Sequence, residues 1–306
     1  MFYWALLYHN CLLNGYGILR SLGQDFFPLD SLWYNIGMGG IKMKAKKIGR
    51  LRLLFIITLL AVVFSGCGNQ AEMSTAEDNS AVSESEGSAD EYPLTGVVVC
   101  IDPGHGITSE GGEEPIAPGS SETRKKHSTG TEGQYQTEEE LNLTVGLMVQ
   151  DLLIDKGATV VMTRTTHECD LSNIDRAVFA KEEGADLTLR IHTDGSENTG
   201  IKGISVLVPS PTFITDESLL DRSVVFGQLL LSSVVEATGA ENRGIVERSD
   251  LTGFNWTEVP VALVEMGFMT NAEEDAQLAK AEYQQLLATA MADAVEEFFE
   301  IYPITK

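Results

Sequence analysis

Lysine and arginine are scarce in this 306-residue sequence: 21 against 45 aspartates and glutamates, for a formal net charge of −24. Phosphate recognition needs clustered basic side chains, so this balance argues against a nucleic-acid partner. It also disfavours loose adhesion to other polyanions, such as anionic lipids or wall polymers. Cysteine is scarce too. Cys11, Cys67, Cys100 and Cys169 make no C-x-x-C pair, which removes a thiolate zinc site and a thioredoxin-like motif. Cys100 in an apolar run and Cys169 in a polar loop read as unpaired thiols, although a disulfide is permitted outside the cell. The apolar run Leu53–Phe64 is shorter than the about 20 residues that a spanning helix requires.

That run suits a signal sequence instead. Lys44, Lys46, Lys47, Arg50 and Arg52 form a basic stretch ahead of it, and Ser65-Gly66-Cys67 follows. Small residues before a cysteine resemble the lipobox of bacterial lipoproteins, in which the cysteine is acylated. Phe64 departs from the aliphatic residue usual there. An uncleaved signal anchor is the plainer alternative. Residues 1–42 have no place in this logic. Gly39-Gly40 precedes Met43 at a spacing where glycine codons can spell a ribosome-binding site, so translation is expected to start at Met43. The expected organisation is upstream artefact 1–42, signal peptide 43–66, lipidated Cys67 with an acidic, Ser-rich linker through 93, and a folded domain over 94–306. The linker holds almost no large apolar residue, too little to bury on folding.

Hydrophobic residues make up 43% of the chain and aromatics 8%, enough for an ordinary core within the domain. The pattern there is α/β. Val97–Ile101 is a continuous β-branched run of the kind buried parallel strands show, ending at Asp102-Pro103-Gly104. Thr137 and Glu140 make a capping box for a helix that Gly157 stops. Strands are expected over Thr159–Met162, Asp186–Ile191, Ile204–Val208 and Val261–Val264, and helices over Asn173–Glu183, Ser218–Ala237 and Glu282–Tyr302. This alternation implies one twisted, mostly parallel sheet with helices on both faces and a site beyond the strands' carboxyl ends. Residues 106–136 show no periodicity, and a connector of that length implies function.

His105, His192 and Glu265 fall where buried strands are expected to end, and Glu138 begins the first helix. Two imidazoles and a carboxylate with an open fourth position form a catalytic zinc site, and a second carboxylate can take the proton from its water. Singly, each admits a plainer role. His105 suits a turn histidine and Glu138 an acid stabilising a helix start. Glu265, inside Val-Ala-Leu-Val-Glu-Met-Gly-Phe, is the hardest to explain structurally, because an unpaired buried carboxylate is costly. His127 and His167 read as solvated loop residues.

From Val97 to about Phe299 the chain resembles the zinc-dependent N-acetylmuramoyl-L-alanine amidases of the Amidase_3 type. The motifs are Ile101-Asp102-Pro103-Gly104-His105-Gly106, Glu138 four residues before Asn142, Val160-Val161-Met162-Thr163-Arg164, Arg190-Ile191-His192 and Val264-Glu265-Met266-Gly267-Phe268-Met269-Thr270-Asn271. Pro118-Gly119-Ser120-Ser121-Glu122 resembles a variant found in Gram-positive members. The resemblance implies Zn2+ held by His105, Glu138 and His192, with Glu265 as catalytic carboxylate. Glu138 is chosen over Glu139 and Glu140 by its distance to Asn142. Arg243 and Asn255 match positions near the active-site wall and are candidate substrate contacts. The implied reaction is hydrolysis of the amide between N-acetylmuramic acid and L-alanine in peptidoglycan, outside the cytoplasmic membrane. Two departures adjoin the ligands: the family's frequent Ser-Ile-His-Ala-Asn is Arg-Ile-His-Thr-Asp here, and its common second glycine is Ile107. A solute-binding lipoprotein and an inactive, peptidoglycan-binding amidase-like domain are the rival readings.

Overall fold

The computed structural model describes residues 92–304. The expectations for the upstream segment, the signal peptide, Cys67 and nearly all of the linker lie outside the described residues. Leu94, near the start of the described residues, is fully buried.

Six strands form the central sheet: β1 (Val98–Pro103), β4 (Thr159–Met162), β5 (Leu187–Asp194), β6 (Ile204–Pro209), β7 (Asn242–Arg248) and β8 (Val261–Phe268), in the spatial order β4-β1-β5-β8-β6-β7. β4, β1, β5 and β8 run parallel. β6 is antiparallel to β8 and carries β7 parallel to itself, so the sheet is mostly parallel as expected. The helices are α1 (Glu138–Asp155), α2 (Asn173–Glu182), α3 (Glu217–Thr238), α4 (Thr252–Asn255), α5 (Ala272–Leu278) and α6 (Ala281–Ile301).

Strand alternation sorts the side chains between the two faces. Val99, Ile101, Leu187, Leu189, Ile191, Val206, Ala262 and Val264 join the main core with Leu141 and Val145 of α1, Phe226 and Leu230 of α3, and Met291 and Phe298 of α6. The opposite face packs Cys100 against Ala180 of α2, and Leu207, Val261 and Leu263 against Phe254 of α4. On that second face the same alternation sets Asp102, Arg190, His192 and Glu265. Cys100 and Cys169 are free, as read from the sequence; Cys169, expected in a polar loop, is buried as well.

Local chemistry sets the helix ends. Thr137 Oγ1 accepts from the Glu140 amide while the Glu140 carboxylate accepts from the Thr137 amide, which completes the expected capping box. Ser172 and Asp175 do the same for α2. Gly239 ends α3 at φ 67°, a left-handed conformation that favours glycine.

Several features differ from expectation, the short helices α4 and α5 among them. The strands carrying His192 and Glu265 continue to Asp194 and Phe268, so both residues lie within strands. The 106–136 segment contains a small hairpin, β2 (Glu113–Pro115) with β3 (Thr123–Lys125). β7, an edge strand of mixed burial, carries no apolar run to announce it. The hairpin is tied down by polar bonds. Buried Glu114 accepts from the Asn173 and Ile174 amides at the start of α2 (3.1 and 3.3 Å), and Trp256 Nε1 donates to the Pro115 carbonyl at 3.0 Å.

Candidate metal and catalytic site

The carboxyl ends of β1 and β5 meet the amino end of α1. His105 follows β1 in a left-handed conformation, φ 62°, which is uncommon outside glycine. His192 lies near the end of β5, and Glu138 opens α1. One ligand atom from each falls within 4.8 Å of the others. Glu138 Oε1 is 2.9 Å from His105 Nε2 and 3.0 Å from His192 Nδ1, and accepts from the Thr193 amide at 3.2 Å. Asn142 Nδ2 donates to the same oxygen at 3.3 Å, one helical turn on, which explains the Glu-to-Asn spacing in the sequence. Oε2 accepts from the Thr131 amide at 2.8 Å.

His105 Nδ1 donates to the Ser128 carbonyl at 2.8 Å. That bond sets the tautomer and leaves a lone pair on Nε2 in the neutral ring. In that neutral ring the lone pair faces a carboxylate oxygen, and either a proton or a metal ion between them satisfies both. His192 Nε2 is buried without a hydrogen-bond partner among the described residues. Two imidazoles and one carboxylate, oriented by a backbone carbonyl and two amides, are a donor set that suits zinc.

Two glycines make room for this cluster. A methyl group on Gly104 would lie 2.1 Å from His192 Cε1, and one on Gly130 would lie 2.8 Å from Glu138 Oε2. The long 106–136 segment therefore starts after one candidate ligand, ends before another, and folds Ser128, Gly130 and Thr131 back against both.

Glu265 stands beside His192, its register partner on β8. Its Oε2 is enclosed and has no hydrogen-bond partner among the described residues. Burial pushes its carboxyl well above the usual range, and the charges of Glu138 and Asp194 add to this; Arg248 and Arg190 offset it only in part. Burial alone would also raise Glu138, but hydrogen bonds and charge from the two imidazoles outweigh it and hold that carboxyl far below the usual range. Burial likewise lowers His192, to about 4, whereas for His105 it is outweighed by Glu138 and the Ser128 carbonyl, which raise that ring.

The remaining candidates take other places. Arg243 is exposed, donates to the Lys202 carbonyl at 3.2 Å and lies 5.1 Å from the centre of the Phe268 ring. Asn255 is buried, and its Nδ2 donates to the carbonyls of Ile116 (3.0 Å) and Ser249 (2.9 Å), tying the hairpin segment to α4. His167 is exposed beside Glu139, and His127 lines a small cavity with His105. Sequence reasoning missed Ser128, Thr131 and Gly130, which act through backbone atoms or through having no side chain and so leave little trace in residue type. It also passed over Arg248, which forks onto Asp250 at 2.7 and 2.8 Å while its charge bears on Glu265.

Comparison with known proteins identifies the relatives of this chain. Residues 99–297 match the family described as N-acetylmuramoyl-L-alanine amidase, Amidase_3. The chain is 28% identical over 221 residues to the N-acetylmuramoyl-L-alanine amidase Rv3717 of Mycobacterium tuberculosis, covering 70% of this chain and 91% of that protein. It is 27% identical over 208 residues to the uncharacterized protein YqiI of Bacillus subtilis, covering 68% and 87%. Among solved structures, the N-acetylmuramyl-L-alanine amidase Ami1 of Mycobacterium smegmatis superposes with a TM-score of 0.62 at 26% identity, over 68% of this chain and 99% of that one. The chain belongs to the N-acetylmuramoyl-L-alanine amidase family, Amidase_3.

Proposed function

We propose that this protein is a peptidoglycan hydrolase that cleaves the amide between the lactyl group of N-acetylmuramic acid and L-alanine, with zinc held by His105, Glu138 and His192 and with Glu265 as its catalytic carboxylate. The observation that carries this is the convergence of three ligand atoms within 4.8 Å beside an enclosed, unpartnered carboxylate. Family membership supports the reaction class and sets aside the solute-binding reading. The names of the Mycobacterium relatives support the amide bond.

Zinc held by His105, Glu138 and His192 would supply Lewis acidity for activating water and polarising the amide. Glu265 takes the proton of the attacking water and returns it to the leaving amine. A carboxyl raised by burial binds a proton more tightly than an exposed glutamate, which suits a group that must accept one from water. Ser128 and Thr131 hold His105 and Glu138 against rotation through their backbone atoms. Arg243 is assigned a substrate contact at the exposed edge, and Asn255 shapes the wall by fastening the hairpin segment.

The protein acts outside the cytoplasm, where its substrate lies. A signal peptide over 43–66, acylation of Cys67 and an acidic linker would hold it at the membrane facing the wall. A digest of purified muropeptides, with metal content measured in parallel, tests the function. Release of free stem peptides by protein carrying about one zinc per chain is the expected result; intact muropeptides beside bound zinc would instead favour an inactive, wall-binding domain. Loss of labelled-lipid incorporation in Cys67→Ala checks the anchor.

A further inference from the structure

The β1 exit carries its carbonyls in an unusual way. A strand points successive carbonyls to alternate sides, yet those of Pro103, Gly104 and His105 all accept bonds from two buried arginines. Arg164 donates from Nε to Pro103 (2.9 Å) and from Nη2 to Gly104 (2.9 Å). Arg176 donates to Pro103 (3.1 Å) and His105 (2.6 Å) while its charge is met by Asp102 at 2.6 Å. The left-handed φ of His105 is part of the same turn.

Arg164 does one thing more. Its Nη2 also donates to the Glu139 carbonyl at 2.7 Å. One nitrogen thus bridges Gly104 and Glu139, the chain neighbours of His105 and Glu138. Those two ligands lie 33 positions apart, joined by the long 106–136 segment. The guanidinium is 1% exposed, and its remaining partners are the Thr166 carbonyl at 3.0 Å and the Glu139 carboxylate at 3.7 Å. It does not face the cleft beside His105 and Ile107.

We infer that Arg164 is a positioning residue that sets the separation of His105 and Glu138 by bridging the backbones beside them. The inference rests on the metal reading proposed above. A planar fork holds Pro103 from Nε and both Gly104 and Glu139 from Nη2, with Nη1 fixed on Thr166; an ammonium group offers a single point. Partners that orient metal ligands commonly change metal affinity by about 10- to 100-fold when altered.

The test measures zinc dissociation constants of the full chain by chelator competition, for wild type, Arg164→Lys and Arg164→Gln, with melting curves of the metal-free forms. Expected are zinc binding weakened by about 10- to 100-fold in both variants and altered visible absorption of the cobalt-substituted protein. In a His105→Ala background the same changes should have a much smaller effect, because the separation being set no longer matters. Unchanged zinc affinity in a variant that melts cooperatively would overturn the inference, as would an undiminished penalty in the His105→Ala background. If neither variant melts cooperatively even with saturating zinc, Arg164 serves folding alone and the inference falls. Wild type that binds no zinc would remove the metal reading itself, a failure distinct from the others.

Discussion

His192 and Glu265 are register partners on adjacent parallel strands, β5 and β8. Side chains at paired positions share a face, so strand pairing alone sets a candidate metal ligand beside the candidate proton acceptor. A one-residue slip would turn Glu265 into the main core. Glu265→Ala should therefore retain stoichiometric zinc while muropeptide hydrolysis falls by about 10²- to 10⁴-fold, the range for loss of a general base. Wild-type turnover in that variant would end the assignment.

The metal-free protein should show what this carboxylate costs. Its raised pKa means that the folded state keeps a proton the unfolded chain releases. Its contribution to stability is full below the ordinary glutamate value of about 4.3 and is lost as pH rises toward the folded-state value. Glu265→Gln mimics the protonated form. It should match wild type near about pH 4 and melt higher near about pH 8, while activity is lost. Equal melting temperatures at both pH values would contradict the burial argument.

Asp102 has the opposite sign. Burial alone would raise its carboxyl, but Arg176 and Arg190, with a bond from Thr163, hold it far below the usual range. That stability is present above about pH 4 and lost as pH falls below it. Asp102→Asn strands two buried guanidiniums, and denaturant melts at neutral pH should lose about 3–5 kcal/mol. The loss should shrink in acid.

Space around the imidazole is as important as its donors. Gly104→Ala places a methyl 2.1 Å from the His192 ring, and because the neighbour is a ring packed beneath it, His192 must move. Zinc content should fall well below one per chain with far-UV circular dichroism preserved. Full occupancy at wild-type affinity would show that the ring has room to shift.

Core packing should act on stability without touching the metal. Phe226 of α3 meets Phe298 of α6 edge-to-face at 5.5 Å, both fully buried. Phe226→Ala should cost about 3–5 kcal/mol in denaturant melts and leave the zinc affinity of the folded fraction unchanged.

The sequence by itself determined the α/β class, because continuous β-branched runs and capping signals are local and depend on nearest neighbours. It also determined the candidates at strand ends: a carboxylate inside Val261–Phe268 and a histidine ending an apolar run conflict with burial wherever they occur. Tertiary structure alone decided the reversed direction of β6, because a buried apolar run reads the same in either direction, and it alone revealed β7, an exposed edge strand with no hydrophobic signature. It alone showed Glu138 within reach of both imidazoles and held by the amides of Thr131 and Thr193. The supports of Ser128, Gly130 and Arg164 also emerged only there. Ser128 acts through its backbone carbonyl, and the groups that Arg164 holds are backbone carbonyls of residues distant in sequence, so the pairings could not be read from residue type.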